Sequence, residues 1–148
     1  MSTFTQLYIH IVFSTLNRQN LLHGENRNRV YKYMTGIIKN LQHKPFIING
    51  MPDHVHILFG LNPDRTISDL VHEVKRCSTN FINENKLSAV KFNWQEGYGA
   101  FSYSRSHLNR LINYIKNQEV HHKKRDFKTE YIELLEKFGV EYDPNYLE

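Results

Sequence analysis

Apolar and polar residues alternate along this chain in two rhythms, one with a period of two and one with the period of a helix. Tyr8-Ile9-His10-Ile11-Val12-Phe13 is β-branched and aromatic, is bounded by Ser14 to Gln19, and predicts a first strand. From about Asn26 to Gln42, Val30, Tyr33, Met34, Ile37, Ile38 and Leu41 recur at helical spacing and predict an amphipathic helix. Pro45 to Gly50 and Val55 to Leu61 are apolar runs separated by Met51-Pro52-Asp53-His54, the pattern of an antiparallel hairpin. After the turn at Pro63-Asp64, Thr66 with Asp69 three residues on resembles a capping box. The helix it opens carries Ile67, Leu70, Val71, Val74, Phe81 and Ile82 on one stripe and ends near Asn85.

Further on, Phe92-Asn93-Trp94-Gln95 and Ala100-Phe101-Ser102-Tyr103 read as short strands around Gly97-Tyr98-Gly99. A third helix is expected from about Ser106 to Glu119 and a fourth from about Thr129 to Lys137, with Gly139 as its terminator and an irregular tail from Tyr142 to Glu148. The order strand, helix, strand, strand, helix, strand is the split βαβ arrangement of ferredoxin-like folds. The expectation is an α+β domain with an antiparallel sheet and additional C-terminal helices. That fold serves RNA binders, metal carriers and enzymes alike, so function has to come from the site.

Composition narrows the setting more than the chemistry. At 148 residues the chain suits a single domain, with its core at about 5–138. No apolar run approaches the ~20 residues needed to span a bilayer, and the N-terminus lacks a secretory pattern. Cys77 is the lone cysteine, which excludes an intrachain disulfide and a thiolate-rich zinc site, and a reducing cytoplasm fits. The net charge of +4 is modest, so local clusters matter more than the sum. His121-His122-Lys123-Lys124-Arg125 is the densest, followed by Lys75-Arg76, by Arg27 and Arg29, and by the Arg105 to Lys116 region. Taken singly, each cluster also suits a solvated helix face.

Alternation on the second hairpin strand puts His54 and His56 side by side on one face while Val55 and Ile57 enter the core. Two imidazoles on a rigid strand make half of a divalent-metal site, although two polar residues on a half-buried strand would look the same. On the third helix, Leu108, Leu111, Ile112 and Ile115 form the apolar stripe, and Tyr114 and Gln118 fall together on its flank. The Gln118 amide oxygen is a plausible third ligand, and the Tyr114 phenol one turn away could attack a phosphate bound to that metal. Separately, a boundary tyrosine and an exposed helix-forming glutamine account for these two residues equally well.

Together, His54-Val55-His56 on a strand and Tyr114-Ile115-Lys116-Asn117-Gln118 on a helix resemble the single-tyrosine HUH transposases of small bacterial insertion sequences. The resemblance extends to the strand Tyr8 to Phe13, to Trp94 through Phe101 and to the ending Phe138 to Asp143. It implies cleavage and rejoining of single-stranded DNA next to imperfect hairpins. In that scheme a divalent ion, Mg2+ or Mn2+, sits on His54, His56 and Gln118, and Tyr114 forms a 5′-phosphotyrosine. It also implies a homodimer with composite active sites. Arg27, Arg29, Lys75, Arg76, Lys123, Lys124 and Arg125 are candidates for DNA phosphate contacts.

Two other classes compete. A noncatalytic nucleic-acid-binding module, either RNA-recognition-like or a domesticated transposase acting as a regulator, would tolerate loss of the histidines and tyrosine; the glycine-and-aromatic signature of a typical RNA-recognition motif is missing. A two-histidine phosphoesterase needs a second alternating histidine motif, and His121-His122 is adjacent instead.

Overall fold

The computed structural model describes residues 2–147. Four strands, β1 (Tyr8–Ser14), β2 (Lys44–Met51), β3 (His54–Gly60) and β4 (Gly99–Tyr103), form one antiparallel sheet in the order β2-β3-β1-β4. With α1 (Gly24–Asn40) between β1 and β2 and α2 (Ile67–Glu84) between β3 and β4, this is the ferredoxin-like α+β arrangement the element order predicts. Three further helices, α3 (Leu108–Lys116), α4 (Gln118–His121) and α5 (Phe127–Lys137), follow β4.

Strands β1 and β3 are buried along their whole length because both faces of the sheet are covered. Ile9, Ile11, Phe13, Val55, Ile57 and Phe59 point to one face and pack with Val30, Met34, Ile38, Leu70, Val74 and Ile82 of α1 and α2. Burying each such side chain contributes roughly 1.5–3 kcal/mol, so this layer is the main source of stability. The intervening residues point the other way, where Val12 and Phe101 meet Phe127, Leu134 and Leu135 of α5, and Leu58 meets Leu111 and Ile115 of α3. His54 and His56 lie on this second face.

Local chemistry sets the ends of the elements. Thr66 Oγ1 accepts from the Asp69 amide at 3.0 Å and caps α2, as the sequence predicts. Asp126 Oδ1 accepts from the Thr129 amide at 2.9 Å, so α5 begins at Phe127, two residues before the expected start. Gly139, at φ +65, follows the C-cap Phe138 in the left-handed conformation that ends a helix.

Two expectations are corrected. Phe92 to Gln95 is not a strand: only Trp94 bridges to Thr15. Side chains of α2 take the polar groups a strand would need: Asn83 holds both the amide and the carbonyl of Phe92, at 2.8 and 3.1 Å. Trp94 Nε1 donates to Ser78 Oγ, and Lys75 Nζ donates to the Gln95 and Gly97 carbonyls, both at 2.7 Å. The third helix is also not continuous from Ser106 to Glu119. A 3-10 turn at Arg105–His107 leads into α3, which stops at Lys116, and Gln118 opens a separate four-residue helix.

Candidate active site

The β2–β3 hairpin turns through Pro52 and Asp53, with Gly50 opposite Val55 and Met51 opposite His54. The turn is held from outside, because the Pro52 carbonyl accepts from the Leu21 and Leu22 amides and the Asp53 carbonyl from Thr15. His54 therefore leaves the turn as the first residue of β3. Its Nδ1 donates to Asp53 Oδ1 at 2.7 Å, and its Nε2 faces Gln118 Oε1 at 3.0 Å and Glu130 Oε1 at 3.4 Å. Burial opposes a charge on this ring, but the Asp53 and Glu130 carboxylates outweigh it and push the pKa up to about 9.

His56 is fully buried two residues on. Its Nε2 donates to Glu130 Oε1 at 3.1 Å, which leaves Nδ1 to accept from His10 Nε2 at 2.8 Å. Burial lowers the pKa of His56 despite the carboxylate. It holds His10 well below the ordinary histidine range, and His56 adds to that effect. His10 thus fixes the orientation of His56, as Asp53 does for His54.

The tyrosine side of the site depends on where α3 ends. Asn49 of β2, paired with His56 in the sheet, donates its amide to the Ile115 and Lys116 carbonyls at 2.9 and 3.2 Å. These are terminal acceptors of α3, so the helix finishes against the strand beside the histidines. The chain then turns at Asn117 and inserts Gln118, which is fully buried. Gln118 Nε2 donates to Glu130 Oε2 at 3.1 Å while its oxygen faces His54. Tyr114, half-buried, donates its hydroxyl to Glu130 Oε2, stacks on His121 and receives Arg125 Nη2 at 3.2 Å. Burial and the adjacent Glu130 charge raise its pKa.

At the centre of this group is Glu130, which the sequence reading did not single out. It lies on the buried stripe of α5 with Phe127 and Leu134 and has no exposed surface. A lone acidic residue on an apolar helix stripe was the available signal, since a charge there needs partners. Burial raises the Glu130 carboxyl, but hydrogen bonds from His122, His54 and His56 outweigh it and hold the pKa well below the usual carboxylate range. His122 reaches Glu130 Oε1 from the end of α4 at 3.1 Å. Donor atoms of His54, His122 and Glu130 all lie within 4.8 Å of one another. Imidazole nitrogens, a carboxylate and an amide oxygen converging at one point fit a divalent ion.

The structure thus brings His54, His56, Tyr114 and Gln118 together and spreads the basic candidates. Arg27 pairs with Glu119 at 3.1 Å and Arg76 with Glu73 at 2.7 Å. The Arg29 guanidinium lies 5.9 Å from the centre of the Phe81 ring. Lys75 is half-buried on its two carbonyls, and Arg125 joins Glu133 to Tyr114. Lys123 and Lys124 are exposed in the turn between α4 and α5. A cavity of about 340 Å³ opens beside Tyr114, with Tyr103, His107, Arg110, Arg125 and Lys137 in its wall.

Two solved structures share this fold with the chain. A proposed transposase from Deinococcus radiodurans R1 is 22% identical, with a TM-score of 0.63, over 80% of this chain and 95% of that one. A REP-associated tyrosine transposase bound to a REP hairpin is 18% identical, with a TM-score of 0.58, over 82% of this chain and 74% of that one. A search of curated proteins finds no match. The model of the IS200-like transposase family matches residues 3–118, and the chain belongs to that family.

Proposed function

We propose that this chain cuts and rejoins single-stranded DNA beside imperfect hairpins, with Tyr114 as the nucleophile. The observation that carries the reading is the convergence of His54, His56, Gln118 and the Tyr114 hydroxyl on one buried carboxylate. The chain's membership of a transposase family supports it, as does the REP hairpin bound to a protein of the same fold.

In this reading His54, His56 and Gln118 hold a divalent ion, Mg2+ or Mn2+, that neutralises charge on the scissile phosphate. Tyr114 Oη forms a bond to phosphorus and the bond to the 3′-oxygen breaks, leaving a 5′-phosphotyrosine and a strand that ends in a 3′-hydroxyl. Glu130 Oε2 accepts the phenolic hydrogen bond and orients the hydroxyl, the proton leaves to water as the bond to phosphorus forms, and the departing 3′-oxygen takes its proton from water. Arg125, 3.2 Å from the phenolic oxygen, offsets the charge that develops there. Arg110, Arg125 and Lys137 line the cavity beside Tyr114 and suit an approaching phosphodiester. Lys123 and Lys124, exposed between α4 and α5, suit hairpin contacts further out, where Arg27, Arg29, Lys75 and Arg76 would first have to leave their partners, and a homodimer is the assembly that family resemblance suggests.

The test is a labelled single strand carrying an imperfect hairpin, incubated with protein and Mn2+. A covalent protein–DNA adduct is expected, and Tyr114→Phe abolishes it. An adduct that survives the substitution assigns the nucleophile elsewhere, and hairpin binding with no adduct from the unaltered protein favours a noncatalytic regulator.

A further inference from the structure

The family match stops at Gln118, yet two groups that complete the centre of the site lie beyond it. Glu130 Oε1 is 3.1 Å from His56 Nε2, 3.4 Å from His54 Nε2 and 3.1 Å from His122 Nε2. Donors bound to one divalent ion at about 2.0–2.2 Å stand roughly 2.9–3.5 Å apart at adjacent corners of an octahedron or tetrahedron. The carboxylate oxygen therefore stands from each imidazole in turn at the separation of two donors on one ion, and donor atoms of His54, His122 and Glu130 all lie within 4.8 Å of one another. Burial adds a second argument: Glu130 has no exposed surface, and the His122 side chain is 6% exposed. A charge this completely buried has to be offset inside the protein, by ring N–H groups or by a cation held among the ring nitrogens.

We propose that Glu130 and His122 are themselves ligands of the divalent ion, joining His54, His56 and the Gln118 amide oxygen in a centre completed by α4 and α5. The inference rests on the divalent-ion part of the reading above and changes its chemistry. Three imidazoles and one carboxylate select a transition ion such as Mn2+ over Mg2+, which favours oxygen donors and retained water. Glu130 supplies the only negative charge in the set, and it reaches the site only when α5 is docked on the sheet.

The experiment is titration of the full chain with Mn2+, following the resonance of the free ion. Glu130→Gln, which keeps the shape and removes the charge, is expected to weaken binding by about tenfold or more. His122→Gln, altering a residue at the rim, is the second variant and is expected to weaken binding while leaving Glu130 in place. Mg2+ is expected to compete poorly in the unaltered protein. Mn2+ binding that is unchanged or tighter in both variants would overturn the proposal, leaving Glu130 as the partner of the histidines in the metal-free protein alone. An unaltered protein that binds no Mn2+ overturns the ion itself as well. Tyr114→Phe is expected to bind Mn2+ normally, so failure of the cleavage reading is seen separately.

Discussion

His43 offers a test of burial at a single side chain outside the site. It is buried, and its Nδ1 accepts the Asn62 amide at 3.0 Å. Burial, with the Arg65 charge behind it, lowers its pKa from the ordinary 6.5. The folded chain thus holds this proton less well than the unfolded one. Its stabilising contribution is present above the unfolded value and declines as pH falls through 6.5 towards the folded pKa. Urea unfolding followed from about pH 7.5 to about pH 5 should show stability falling, with a shallower fall in His43→Gln; an unchanged slope would place the proton uptake elsewhere. Legibility also divides at this scale. His54 and His56 were readable because strand alternation fixes their direction; Tyr114 and Gln118 were paired by a helical spacing that the break at Asn117 interrupts, so they meet in the site from two helices rather than one flank. Glu130 and His122 were not assigned, since the acidic residue on the stripe of α5 gains its role only once α5 docks against the histidines of β3 and brings His122 to it.

Among the elements, the β2–β3 hairpin is the most demanding. A methyl group placed on Gly50 would stand 2.2 Å from the His54 carbonyl oxygen and 2.9 Å from Val55 Cα, both backbone atoms that cannot yield alone. Gly50→Ala is therefore expected to cost roughly 2 kcal/mol or more in urea unfolding, by forcing the two strands apart beside the first histidine. Unaltered stability would mean that the hairpin accommodates the methyl by a shift along its length. The hairpin, α1 and α2 follow from hydrophobic period and turn residues. The break at Asn117 does not, because Asn49 on β2 takes the carbonyls that a longer helix would have used. The Phe92 to Gln95 segment fails as a strand for a related reason: side chains of α2 satisfy its backbone before a neighbouring strand can.

For the molecule as a whole, the order of elements was enough to give the split βαβ sheet, whereas closure of its second face by α3 and α5 emerges only in three dimensions. That closure also bears on where charge is available to DNA. Arg27, Arg76 and Arg125 have carboxylate partners, while Lys123 and Lys124 are exposed and make no ion pair among the described residues. Replacing both lysines with alanine should reduce the slope of log affinity for a hairpin against log salt by about 1 per lysine, with little effect on preference between hairpin sequences. An unchanged slope would move the phosphate contacts to another surface.

β3 has a further consequence for how this protein can change over evolutionary time. Val55 and Ile57 hold α1 and α2 on one side while His54 and His56 face the site on the other. Substitutions on this strand cannot tune chemistry without taxing the fold, and a one-residue insertion would exchange its two faces. Variation that survives selection is expected to accumulate in α3, α4 and α5, which meet the sheet from one side. New specificities would then arise from the C-terminal helices, around a strand that stays nearly fixed.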